Sequence, residues 1–134
     1  MKNLIAIILI SILSLNSCLG QKSADDNMTI SQRELLKDYF LCVCITEGFK
    51  DKNINEDDIS QSVYFDILRY DPEALQKVKE YAKSFVATID PSPIEDLGKR
   101  KAIIANCIEK YKSKDLDVFI KQLDRYLLND TSIN

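Results

Sequence analysis

The sequence predicts an all-α fold, a single compact bundle of about five helices. Three observations predict it. The chain of 134 residues holds only 3 Gly and 3 Pro, too few turn-formers for an all-β sandwich or barrel. Apolar residues recur at spacings of three and four in five separate segments. Cap signals stand at the starts of several of those segments.

Ser31-Gln32-Arg33-Glu34 reads as a capping box that starts helix one. Leu35, Leu36, Tyr39, Phe40, Val43 and Phe49 form its stripe, and Gly48 is placed to end it in a left-handed conformation. Asp51 to Asp58 is a polar loop, with Asn55 or Asp57 as the cap of helix two. Ile59, Val63, Tyr64, Ile67 and Leu68 give helix two an apolar face. Asp71 caps helix three and Pro72 occupies its first turn, where a missing N–H costs nothing. Leu75, Val78, Ala82, Phe85, Val86 and Ile89 follow as its stripe.

Asp90-Pro91-Ser92-Pro93 is the clearest break and opens a loop to Gly98. Helix four is expected over Lys99 to Lys112, with Ile103, Ile104, Cys107, Ile108 and Tyr111 facing inward. Ser113 caps helix five, and Asp115 and Asp117 suit its positive end. Leu116, Phe119, Ile120, Leu123 and Leu127 complete the fifth stripe. The helical domain therefore spans 31–128, with a frayed tail at 129–134.

Residues 1–20 read as an export signal. Lys2 supplies the positive start, and Leu4 to Leu15 is apolar except for Ser11 and Ser14. That run is too short to cross a bilayer, which takes ~20 residues, but suits a signal core. Leu15-Asn16-Ser17-Cys18 is similar to a lipobox, which makes Cys18 a candidate for lipidation; a cut after Gly20 is the alternative. Either cut places the protein beyond the cytoplasmic membrane, so the expected location is periplasmic. Membrane attachment is expected only through that lipid anchor. Residues 21–30 are polar and read as a flexible arm.

The charge is -3, and it falls to -4 once Lys2 leaves with the signal. Nothing in that balance attracts nucleic acid. Lys99-Arg100-Lys101, the compact basic run, reads as the solvated start of a helix. The chain has no His, which removes Ser-His and Cys-His nucleophile pairs and histidine metal ligands. Asp51-Lys52-Asn53-Ile54-Asn55 opens like a calcium loop, but Glu56 stands where Gly is needed and Ser62 where a bidentate Glu is needed. Neighbouring acids such as Asp57-Asp58 and Glu95-Asp96 sit in polar loops rather than a cleft. No enzymatic activity and no cofactor or metal is expected. The tyrosines 39, 64, 81, 111 and 126 fall on or beside the stripes and read as core-edge residues.

With Cys18 lipidated or removed, Cys42, Cys44 and Cys107 remain in an oxidising compartment. Cys42 and Cys44 point to nearly opposite sides of a helix and do not pair with each other. One of them is expected to bond Cys107 and tie helix one to helix four; the alternative is three small buried hydrophobes.

Asn106 to Leu116, NCIEKYKSKDL, resembles the signature of type VI secretion amidase immunity proteins at Cys107, Ile108, Tyr111, Ser113, Lys114 and Leu116. Glu109 and Asp115 are like-for-like replacements. Leu41-Cys42-Val43-Cys44-Ile45, with Phe49, is similar to that family's first-helix segment, with Cys44 at its Cys position. Asn106 and Lys112 depart from the pattern, as does the 90–98 loop. The resemblance implies a periplasmic, all-helical protein, usually a homodimer, that binds a peptidoglycan amidase effector of NlpC/P60-like type and blocks its cleft. It also implies that Cys44 and Cys107 form the bridge. The acidic loop after helix three is then the expected contact, through Asp90, Ser92, Glu95 and Asp96; the plainer reading is a connector. A rival function is an envelope lipoprotein acting as an adaptor with no toxin partner.

Overall fold

A computed structural model describes residues 26–52 and 54–128. Among these residues the fold is all-helical. Five α-helices run in order: α1 (residues 26–48), α2 (Ser60–Ile67), α3 (Pro72–Ala87), α4 (Ile103–Tyr111) and α5 (Lys114–Gln122). Short 3-10 turns fill the connections and extend α5 through Leu123–Tyr126. Among the described residues, those from 32 on make up the compact unit, and residues 26–31, which are helical, belong to a separate one. Cys18, the signal segment and the 129–134 tail lie outside the described residues.

Within the compact unit α1 supplies most of the core. Leu36, Tyr39, Phe40 and Val43 of the predicted stripe are buried on it, together with Cys44. They meet Leu75, Val78 and Ala82 of α3, Ile103 and Cys107 of α4, and Leu116 and Ile120 of α5. Polar groups pin α1 at its edges. Arg33 forms a two-point ion pair with Asp124, with one N–H to oxygen distance of 2.8 Å. Lys37 pairs with Asp117 at 2.7 Å, and the buried Gln32 accepts the Arg69 N–H at 2.7 Å. The Tyr111 hydroxyl donates to Asp38 at 3.0 Å.

The caps predicted at Asp71 and Ser113 form, whereas the one predicted for helix two at Asn55 or Asp57 does not: α2 opens after Ile59 with no side-chain cap bond. Asp71 accepts from the Glu73 N–H at 2.8 Å, with Pro72 opening α3. Ser113 accepts from the Leu116 N–H at 3.2 Å and donates to the Lys110 carbonyl at 2.7 Å, so one hydroxyl joins the end of α4 to the start of α5. The chain beyond α5 is tied down: Tyr70 and Leu127 form an antiparallel bridge, and the Leu128 N–H donates to the Arg69 carbonyl at 2.8 Å.

The bridge is Cys44–Cys107, with Cα atoms 5.9 Å apart, and it links α1 to α4 across a sequence separation of 63. Closing a loop of that length adds about 4 kcal/mol in the chain-entropy account. Cys42 is a free thiol, half-buried on the other side of α1.

Four expectations are corrected. Helix one does not start at Ser31, because residues 26–30 of the expected arm are already helical; nothing there breaks a helix, and a capping-box pair is also a pair of helix-compatible residues. Gly48 does not end α1 in a left-handed conformation: it is still helical, and Gly98 is the glycine at positive φ among the described residues. Gly48 is needed for close approach instead, since a Cβ there would stand 2.1 Å from Ile103 Cγ2. Helix four begins at Ile103, so Lys99-Arg100-Lys101 belongs to the loop, and Ile104 and Ile108 face outward. Helix two keeps only part of its expected face: Tyr64 packs on the core and Leu68 is buried, but Ile59 is 71% exposed, Val63 48% and Ile67 47%, and Phe65 is exposed beside them.

Candidate partner-binding surfaces

Two surfaces carry side chains that the core does not use. The first is the loop between α3 and α4. Its base is closed by the Ser92 N–H donating to the Arg100 carbonyl at 2.8 Å. Inside that closure, a 3-10 turn over Glu95–Leu97 ends at Gly98, whose φ of 58° and ψ of -138° suit glycine alone. The Arg100 guanidinium donates to the Leu97 carbonyl at 3.0 Å and braces the turn from below. Pro91 and Pro93 stiffen the entry.

Of the four contacts expected in this loop, Asp90, Glu95 and Asp96 are exposed and Ser92 is half-buried. Ser92 shapes the loop: its hydroxyl accepts the Ile94 N–H at 3.2 Å. Sequence reasoning passed over Ile94 and Leu97, which the loop presents to solvent between the acids. Their signal was available, since two large apolar residues in a polar Pro/Gly loop belong to no helical stripe. The loop thus offers an apolar centre with carboxylates at its rim, which is the composition of an interface core and its polar surround.

The second surface is the outer side of α2. Its inner side is mixed: Gln61 donates to the Thr46 hydroxyl of α1 at 2.9 Å, and Tyr64 packs partly buried against the core. Just before the helix, the Asp58 carboxylate accepts from the Ser60 hydroxyl at 2.7 Å and from its N–H at 3.3 Å. Between α2 and the body lies a cleft of about 370 Å³ lined by Tyr39, Asp58, Ile59, Phe65, Asp66 and Lys79, with Gln61 and Ser62.

The thiol of Cys42 offers little as a nucleophile. Burial first, then the charges of Asp58 and Asp38, push its pKa up, so its thiolate is scarce at neutral pH. Among the described residues no group of His, Cys, Asp and Glu is arranged to hold a metal ion, and no helix is long and apolar enough to cross a membrane.

The class that this fold defines is a small, disulfide-linked, all-helical domain with two apolar-and-acidic outer surfaces. The chain belongs to the type VI secretion system (T6SS) amidase immunity protein family, Tai4, whose family model matches residues 34–120, more than half of the sequence. The match takes in both bridging cysteines, the 90–98 loop and all of α2. No curated protein and no solved structure matches the chain.

Proposed function

We propose that this protein is a periplasmic immunity protein that binds a peptidoglycan amidase effector and occludes its catalytic cleft, with the 90–98 loop as the inserted element. The observation that carries the reading is the family match over residues 34–120, which contains the loop. The loop's construction supports it. A segment closed at its base and fixed by two prolines, a 3-10 turn and Gly98 loses little freedom on binding. Ile94 and Leu97 supply the apolar anchors, and Asp90, Glu95 and Asp96 supply charge to meet donors in the cleft. Occlusion needs no chemistry from the inhibitor, in keeping with a family of immunity proteins rather than of enzymes.

Export fits the same reading. A Cys44–Cys107 bridge persists in an oxidising compartment, and a wall-cutting enzyme acts beyond the cytoplasmic membrane. Lipidation at Cys18 would hold the protein at the membrane near the substrate it protects.

The experiment is a titration of the protein against the product of the adjacent open reading frame, assayed as a peptidoglycan amidase, with wild type and the variant carrying Asp90→Ala, Ser92→Ala, Glu95→Ala and Asp96→Ala. Loss of about 2–4 kcal/mol in binding is the expected result. Unchanged affinity in a folded variant would remove the loop from the interface.

A further inference from the structure

We propose that the outer face of α2 is a second docking surface for the same amidase, seating a basic side chain of the toxin in the cleft between α2 and Tyr39 and packing apolar toxin residues around it. The inference rests on the immunity reading above and names a contact on the toxin distinct from the one the loop makes.

The polarity of α2 is the first ground. A surface helix ordinarily turns its apolar side to the core and its polar side to water. Here Gln61 hydrogen-bonds inward to α1 and Tyr64 alone of the helix's large side chains packs against the core, while Ile59, Val63, Phe65 and Ile67 stand in solvent. A helix of 8 residues gains little from its own backbone bonds. An orientation that leaves four large apolar side chains wet is stabilising only when something else covers them.

The cleft chemistry selects the occupant. Asp58 and Asp66 face it with carboxylates, Phe65 offers a ring and Ile59 an aliphatic wall, against the single ammonium of Lys79. A lysine or arginine side chain suits that lining: its stem packs on Ile59, its charge lies near two acids, and the Phe65 ring attracts a cation.

Local charge excludes the obvious competitor. Residues 56–67 hold Glu56, Asp57, Asp58 and Asp66 and no Lys or Arg, so this one segment carries -4 while the whole chain carries -3. A second copy docked about a two-fold axis would bring this segment against itself, acid to acid. A basic partner gains from the same charge, in approach rate above all.

The test uses the full protein and the amidase sought as the product of the adjacent open reading frame, with three forms: wild type, Ile59→Ser with Phe65→Ser, and Asp57→Lys with Asp66→Lys. All four positions are exposed, and circular dichroism and the thermal midpoint report that each form is folded. The apolar pair is expected to weaken binding by about 30-fold or more. The charge pair is expected to slow association by about tenfold at low salt, and by much less at about 0.5 M NaCl. The mass of the free protein in solution is expected to be the same in all three forms. If wild type binds and both variants bind equally well, the α2 surface is not part of the interface, while the immunity reading stands. If the apolar pair turns a dimer into a monomer without changing toxin affinity, the occupant is a second copy and the proposal is overturned. If wild type binds no amidase, both readings fall together.

Discussion

Gly48 and Ile103 meet more closely than any side chain at position 48 would allow. A Cβ there would lie 2.1 Å from Ile103 Cγ2, and Ile103 is buried, β-branched and unable to swing clear. Gly48→Ala is therefore expected to cost about 1–3 kcal/mol by overpacking, although alanine is the better helix former; urea denaturation of the two forms measures it. The sequence carried a glycine at the end of a helical stripe, and the ordinary meaning of that pattern is a left-handed cap. Nothing local distinguishes a cap from a close approach, because the deciding neighbour lies 55 residues further on.

Three phenols on this scaffold titrate far above their usual range. Tyr39 and Tyr70 are each pushed up to about 12 by burial first, with Cys42 adding to the first and Asp124 to the second. Tyr111 is also raised to about 12, by burial and then by its hydrogen bond to Asp38. Unfolded, all three ionise near 10. Below that pH both states hold their protons and stability is full; between about pH 10 and 12 the unfolded state gives them up first, so stability falls as pH rises. Thermal midpoints measured from pH 8 to 12 are expected to stay level and then drop. Tyr39→Phe and Tyr70→Phe together should make the drop shallower.

At the scale of elements, legibility followed how much of an element's environment is local. The caps of α3 and α5 were readable because Asp71 and Ser113 bond N–H groups two and three residues away. The α1 stripe was readable because that helix is packed along its length, so periodicity and burial coincide. Of the face expected for α2, only Tyr64 and Leu68 turn inward. The helix is short, and it is also held by Gln61, whose acceptor Thr46 sits on another helix. Apolar residues mark the core only where no partner surface competes for them. In the loop, Asp90, Glu95 and Asp96 were readable as exposed acids, whereas the role of Ser92 depends on a fold-back to Arg100 that no spacing rule signals.

The link between α1 and α4 shows how local readings and the resemblance complement each other. Helix geometry left Cys42 and Cys44 both open, and the family pattern chose Cys44, the one bonded to Cys107. Cys44→Ala with Cys107→Ala is expected to lower stability by about 2–5 kcal/mol. The same loss is expected on reduction of the wild type, and chemical denaturation with and without reductant checks it. An unchanged midpoint would mean that α1 and α4 hold their register through packing and the Tyr111–Asp38 bond alone.

For the whole molecule, the arrangement divides labour between a stiff interior and two outer surfaces. Helix α1 is held by a disulfide, two ion pairs and a continuous apolar stripe, so the loop and α2 are presented from a framework that need not rearrange on binding. Preorganisation of that kind shifts affinity into a slow off-rate. The class of fold was legible from composition and periodicity. Membership of the amidase immunity family was legible chiefly through the segment around Cys107, because binding surfaces leave no periodic trace.

The most direct test is wall hydrolysis by the product of the adjacent open reading frame, followed with and without one equivalent of this protein. The account predicts that hydrolysis stops at equimolar protein, that the block survives dilution for minutes or longer, and that the loop variant relieves it. Undiminished hydrolysis in the presence of the folded, disulfide-bonded protein would contradict it.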